Sequence, residues 1–360
     1  MIAVPAVWLR DNCRCAACRD PRSGQKRFRL ADLPADVAVE RVEWAGEGAA
    51  RTATVVFAPD GHRSVYPASW LEGPPPPDGD GRRDESTKRL WVAADLPGPP
   101  TASWGAYCAG GDVRRRVLEA VQQVGFALLR GTPTAPGTVL EVAGTFGFVR
   151  ETNYGRLFDV RVEADPTNLA FTGLAIAPHT DNPYRDPVPT LQLLHCLTNA
   201  VEGGESGLLD GFRAFADLRA SDPDAYGVLR RTPLPFAWTD GHAFLAAERP
   251  AVETDPAGRI AAVRWNDRSL GTLRLPVAEL GPVYAALRRF ARLVAEPSRL
   301  LSLRLDAGDC LIMDNTRVLH ARTAFAESAA GHRHLQGCYA DLDGLDSTVT
   351  RLRREAEGGV

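Results

Sequence analysis

Three groups of residues in this chain have types and spacings that could do chemistry. His179-Thr180-Asp181 is a His-x-Asp triplet, and His320 lies far downstream in a stretch running from the strand-like Cys310–Met313 through the polar Asp314-Asn315-Thr316-Arg317. Two imidazoles and one carboxylate are the donor set that holds non-haem Fe(II) while leaving positions open for ligands. If the triplet ends a strand, alternation puts residues i and i+2 on one face. The plainer reading is a turn whose side chains satisfy local backbone groups. The second group is Cys13, Cys15 and Cys18, three thiols within six residues. Seven cysteines in all is an odd number, and the other four, at 108, 196, 310 and 338, are scattered. That distribution excludes a disulfide framework and reads as metal ligation. The third is Arg333, thirteen residues after His320 and just before an apolar run. Buried there, it could grip a carboxylate through two parallel hydrogen bonds; otherwise it is a surface arginine between His332 and His334.

These residues need elements to position them. Three hundred and sixty residues allow one large domain or two unequal ones, and 44% hydrophobic residues suffice for a core. Lysine plus arginine number 42 against 45 acidic residues, a formal net charge of −3, which gives no footprint for nucleic acid or anionic lipid. Neither a membrane-length apolar run nor a signal segment after Met1 is apparent, so a cytoplasmic protein is expected. Residues 1–72 carry short alternating runs, Val37–Val42 and Thr52–Phe57, typical of a small β-rich module. A linker is expected across 73–98, opening on GPPPPDGDGRR. In 99–360 the spacing of Val117, Val121 and Val124 predicts a helix ending at Gly125, with a strand at Phe126–Leu129. A second helix is expected at 136–146, two short ones across 213–231 broken at Ser221-Asp222-Pro223, and a long one at Val277–Val294. Residues 169–176, 189–197, Leu300–Leu305, Cys310–Met313 and Leu335–Tyr339 read as strands. The pattern is α+β, built around a β-barrel or sandwich, not a parallel βαβ sheet. Neither GxGxxG nor GxxxxGKS occurs, so nucleotide binding by those devices is unsupported.

The longer blocks PHTDNPYRDPVPTLQLLHCL (178–197), EGGESGLLDGF (202–212), GDCLIMDNTRVLHARTAF (308–325) and GHRHLQGCYADLD (331–343), with WLRDNCRCAAC near the N-terminus, resemble the Fe(II)/2-oxoglutarate dioxygenases of the taurine dioxygenase superfamily. The similarity is greatest to the γ-butyrobetaine dioxygenase branch and spans essentially the whole chain. It implies a double-stranded β-helix (jelly-roll) catalytic domain with flanking helices. It also implies iron ligation by His179, Asp181 and His320. Arg333 would hold the distal carboxylate of 2-oxoglutarate, with Ser206 assisting. The implied reaction uses O2 and 2-oxoglutarate to hydroxylate an aliphatic carbon, releasing succinate and carbon dioxide. Cys13, Cys15, Cys18 and His62 would form a structural Zn(II) site, and a homodimer is implied.

In that branch an aromatic cage takes a trimethylammonium group, and the matching positions are Tyr154, Phe158, Phe171 and Tyr339. Phenylalanine at 158 and 171, where the family usually has Trp or Tyr, weakens the ring faces without removing them. Asn168 and Asn266 match asparagines toward the substrate's other end. Asp267 stands where the family has a second asparagine, and facing the substrate it would repel a carboxylate unless Arg268 neutralised it. The expected substrate is therefore γ-butyrobetaine or a close analogue, with trimethyllysine, a trimethylammonium phosphonate or a sulfonate as alternatives. A zinc hydrolase built on the same three ligands would leave Arg333 without a purpose, and a non-catalytic scaffold would not need the full set.

Overall fold

The computed structural model describes residues 2–73, 88–162, 172–240, 243–326 and 331–358. The chain divides into two compact units, Met1–Asp80 and Gly81–Val360. Most of the linker expected at 73–98 lies outside the described residues, as do Asn168, Phe171 and His242.

In the first unit, β1 (Ala38–Ala45), β2 (Thr52–Ala58) and β3 (Arg63–Pro67) form an antiparallel sheet in that order. Alternation along β2 turns Ala53, Val55 and Phe57 inward, where they meet Leu9, Tyr66, Trp70 and Leu71. The Tyr66 hydroxyl donates to the Leu9 carbonyl at 2.5 Å, tying the short helix Ala6–Asp11 to the sheet. So small a core gains from a further constraint, and the cysteines lie directly after this helix.

Among the described residues the second unit holds two main sheets and two separate hairpins. The larger runs β4 (Thr101–Ser103), β5 (Phe126–Arg130), β16 (Cys310–Asp314), β9 (Leu191–Asn199), β18 (Arg333–Ala340) and β6 (Val149–Arg150), with β7 (Phe158–Val160) also paired to β18. The smaller runs β15 (Leu301–Leu303), β10 (Ser206–Asp210), β17 (Val318–Arg322) and β8 (Ile176–His179). Every pairing is antiparallel except β4 with β5. Phe126, Leu128, Leu311, Met313 and Leu335 from the larger sheet pack on Leu208 and Val318 from the smaller one, so the two lie face to face. Helix Gly111–Val124 covers the larger sheet together with the C-terminal helix Leu342–Ala356, joined by a Gln122–Asp346 hydrogen bond of 2.8 Å. Helices Gly211–Ser221, Pro223–Arg231 and Val277–Val294 form a separate cluster, where Phe215 and Phe290 stack with centroids 3.9 Å apart.

Most expected elements occur within a few residues of their predicted bounds. The strand expected at 169–176 does not: 172–175 are bends and coil, β8 begins only at Ile176, and 169–171 lie outside the described residues. The other departures concern strands that periodicity does not reveal. The hairpins β11 (Leu234–Thr239) with β12 (Phe244–Arg249) and β13 (Val252–Thr254) with β14 (Ile260–Val263) fall in a stretch without an expected element. β17, which carries His320, is separated from the Cys310–Met313 strand only by a polar turn and is too short to display an alternation of its own. The C-terminal helix does leave a signal: Leu342, Leu345, Val349 and Leu352 recur at helical spacing and are buried.

One buried ion pair fixes the start of β17. Arg317, with no exposed surface, donates to both oxygens of Asp210 at 3.0 and 2.8 Å and to the carbonyls of Gln123 and Arg89. Asp210 also accepts from the backbone of Trp91 and Phe212, so the carboxylate is fully hydrogen-bonded. No described helix is long and apolar enough to cross a membrane.

Candidate active site

His179 is the last residue of β8, and it pairs across the sheet with His320 of β17, their ring centroids 4.2 Å apart. Asp181 lies beyond the strand, so strand alternation is not what aims it. It is set by the turn after β8, where Asn182 takes a left-handed φ of 54°. Asn315 clamps this turn: its side-chain oxygen accepts from the Asp181 N–H at 2.7 Å, and its amide donates to the carbonyls of Asp181 and Pro189.

The carboxylate is oriented just as firmly. Its Oδ2 accepts hydrogen bonds from Gln192 at 2.6 Å and from the Tyr339 hydroxyl at 2.8 Å. That leaves Oδ1 facing the imidazoles, 3.3 Å from His179 Nε2 and 3.9 Å from His320 Nε2. Nδ1 of His179 lies 2.9 Å from the Ala177 carbonyl. A carbonyl only accepts, so Nδ1 donates there and Nε2 is the nitrogen turned toward Asp181. Burial pushes the His320 imidazole down to about 3, which favours its neutral form. Burial works against the Asp181 charge, but the two imidazoles and the Tyr339 hydroxyl hold its pKa below the ordinary carboxylate range. Two imidazoles and one carboxylate oxygen, with donor atoms within 4.8 Å of one another, fit a divalent cation bound on one face.

A cavity of about 360 Å3 opens from these three residues, of a size usual for small-molecule sites. Ser206, Arg322 and Arg333 line part of it. Arg333 is 2% exposed and opens β18, and both its guanidinium and that of Arg322 lie over the Phe325 ring, at 5.4 and 4.9 Å. Gly204 makes this possible: a Cβ there would meet Arg333 at 3.1 Å, and its φ of 71° disfavours any side chain.

The aromatic wall contains more rings than expected. Tyr154, Phe158 and Tyr339 line the cavity together, with Phe158 and Tyr339 centroids 5.1 Å apart. Gly337 leaves space for the Phe158 ring, which a Cβ would approach to 2.4 Å. Tyr184 and Trp238 join them, stacked at 5.9 Å, with Trp238 edge-on to Tyr154 at 5.6 Å. The Tyr184 hydroxyl donates to Asn182 and stands 3.1 Å from that of Tyr154. Tyr184 belongs to the PHTDNPYRDP stretch that carries the family resemblance, whereas Trp238 arrives on the unexpected β11 hairpin. Asn266 lines the cavity and Asp267 does not. Gln192 and Asn315 escape notice in the sequence because neutral amides carry no spacing signature.

A second cluster occupies the first unit. Sγ of Cys13, Cys18 and Cys15 stand 3.3, 3.5 and 3.8 Å from Nε2 of His62. Zn–S bonds of about 2.3 Å and Zn–N bonds of about 2.0 Å give a tetrahedral edge of roughly 3.5 Å, so the spacing and the donor set fit zinc with no open position. The Ser64 hydroxyl donates to Cys13 Sγ at 2.7 Å and Arg10 to Cys18 Sγ at 3.3 Å, both suited to thiolates.

A His/Asp/His centre between two mainly antiparallel sheets, opening on a cavity lined with arginine, is an arrangement suited to a metal-dependent oxygenase. The family model for taurine catabolism dioxygenase TauD, TfdA family matches residues 95–339, and that for gamma-butyrobetaine hydroxylase-like, N-terminal matches residues 1–72. The chain belongs to the TauD/TfdA dioxygenase family. It is 36% identical to the gamma-butyrobetaine dioxygenase of Pseudomonas sp. (strain AK-1), over 97% of this chain and 90% of that one. It is 29% identical to the human gamma-butyrobetaine dioxygenase, over 99% and 92%. Identity to the trimethyllysine dioxygenase of Meyerozyma guilliermondii is 27%, over 96% and 89%. Among solved structures, asparagine oxygenase in complex with Fe(II), 2S,3S-3-hydroxyasparagine and succinate shares the fold, with a TM-score of 0.51 at 19% identity over 66% of this chain and 81% of that one.

Proposed function

We propose that this protein is an Fe(II)- and 2-oxoglutarate-dependent dioxygenase that hydroxylates an aliphatic carbon of a small trimethylammonium substrate, γ-butyrobetaine or a close analogue. The observation that carries the reading is the His179–Asp181–His320 donor set opening into a cavity that combines arginines with stacked aromatic faces. Relatives named for γ-butyrobetaine and for trimethyllysine have a trimethylammonium group in common, which supports the substrate class. In this reading iron, O2 and 2-oxoglutarate supply the oxidising power, and 2-oxoglutarate leaves as succinate and carbon dioxide.

The chain's own residues then have distinct tasks. His179, Asp181 and His320 hold the iron, and Gln192 and Tyr339 keep one carboxylate oxygen turned away from it. Arg333 takes the distal carboxylate of 2-oxoglutarate, with Ser206 beside it. The rings of Tyr154, Phe158, Tyr184, Trp238 and Tyr339 offer π faces to a cation that has no N–H to donate, and they exclude water around the C–H bond. Asn168 and Phe171, expected at the substrate, lie outside the described residues. The catalytic part is a double-stranded β-helix over 99–360, against which 88–98 of the expected 73–98 linker packs through Trp91, and a module, 1–72, carries structural zinc. The same reading takes the protein as a cytoplasmic homodimer, which sedimentation would test.

The experiment is substrate-stimulated succinate release by the iron-loaded protein. γ-Butyrobetaine should stimulate it well above the substrate-free rate and taurine should not. Equal, uncoupled release with both would sink the trimethylammonium assignment.

A further inference from the structure

Arg268 is a cation with no task in the chemistry above. It lines the cavity, is exposed to it, and its side chain makes no hydrogen bond or ion pair among the described residues. Its charge is felt by Asp181, Tyr154 and Tyr184, which places it near the metal ligands and the aromatic wall. It comes from the short turn Asp267–Ser269, apart from the Arg322–Arg333 pair gathered on Phe325.

The described lining contains three arginines and a single carboxylate, Asp181, which is committed to the metal ligands. A 2-oxoglutarate dianion offsets two positive charges. The surplus would repel a substrate that is only a cation, since charges in a low-dielectric cleft are poorly screened. Asn266 is a weaker anchor for an anion, because it carries no charge. Its amide donates to the Thr180 carbonyl at 3.2 Å and its oxygen accepts from the Arg268 backbone N–H at 3.2 Å, which holds this turn against the metal-ligand turn and leaves one N–H for a substrate. Asp267, the residue that would repel an anion, is absent from the described lining.

We propose that Arg268 takes the anionic end of the substrate, so that the site selects a zwitterion: a trimethylammonium group joined by a short aliphatic chain to a carboxylate. This rests on the trimethylammonium reading above and adds the group that sets specificity at the other end. A planar guanidinium with free N–H groups matches a carboxylate through two parallel hydrogen bonds, which lysine's point charge does not reproduce.

The test compares wild type with Arg268→Gln and Arg268→Lys, using γ-butyrobetaine and its neutral carboxamide as matched probes. Succinate release gives kcat/KM, and calorimetry on the iron- and 2-oxoglutarate-loaded protein under nitrogen gives affinity without turnover. Wild type should prefer the carboxylate by about 10- to 100-fold, the range for a hydrogen-bonded charge. Arg268→Gln should reduce that preference to within about 3-fold and leave the KM for 2-oxoglutarate unchanged, while Arg268→Lys restores it only in part. A preference that persists in Arg268→Gln overturns the proposal with the substrate class intact. So does a rise in the KM for 2-oxoglutarate alone, or a wild type that handles both probes equally. If neither probe stimulates wild type, the trimethylammonium reading itself fails and this inference goes with it.

Discussion

Replacing Tyr339 with phenylalanine separates two tasks that the structure gives to one side chain. The ring belongs to the aromatic wall, 5.1 Å from Phe158, and the hydroxyl holds Asp181 Oδ2 at 2.8 Å. Tyr339→Phe keeps the first and deletes the second. A hydrogen bond to a charged group contributes about 1.5–3 kcal/mol. Gln192 still donates to the same oxygen at 2.6 Å, so the carboxylate is not left bare and the lower end applies. About 1.5 kcal/mol corresponds to roughly a tenfold loss of metal affinity, within the 10- to 100-fold range for groups that orient metal ligands. Gln192→Leu should cost about as much, and the double variant more than the product of the two, because the carboxylate then loses both donors. The assay is anaerobic titration with Fe(II) or Co(II) against a competing chelator, with the KM for γ-butyrobetaine measured in parallel. Metal affinity should fall while that KM stays within about 3-fold, since the π face remains. Unchanged metal affinity with a tenfold rise in KM would refute the orienting role and leave Tyr339 as wall alone.

Three further outcomes are expected. His179→Ala should remove iron from the purified protein while zinc content stays near one per chain; metal analysis reads both, and loss of the two metals together would contradict two independent centres. Arg317→Met leaves the Asp210 carboxylate buried without its partner and should destabilise the protein by about 3–5 kcal/mol, read as a lowered denaturation midpoint; an unchanged midpoint would show that water reaches Asp210. Gly204→Ala should raise the KM for 2-oxoglutarate, by about tenfold if the displaced Arg333 loses one charged hydrogen bond, with little change in the KM for the trimethylammonium substrate. Equal changes in both constants would mean that the site has moved as a whole.

The amino-acid sequence already carried the ligand types. His179-x-Asp181, His320, Arg333 and the Cys13–Cys15–Cys18 cluster are chemically unusual residues at telling intervals, and they remain visible whatever the fold. The helices at 111–124 and 277–294 were legible for a related reason, because apolar residues recurring at helical spacing report a buried face locally. What the sequence could not show is which distant residues meet. His320 comes opposite His179 only through the register of β17 on β8, and a slip of one residue would turn its side chain to the other face. Gln192, Asn315 and Trp238 enter the site by the same route, from strands and turns far away in the chain, and none has a local pattern to announce it. Asp267 and Arg268 make the point at a separation of one residue. In the linear chain Asp267 stands at a substrate position of the family, and whether it faces the substrate or is offset by Arg268 is left open. In the folded chain Asn266 caps the turn and Arg268 is the one that lines the cavity. Spacing determines which residues are available, but the direction in which each side chain leaves a turn depends on backbone angles that tertiary contacts fix.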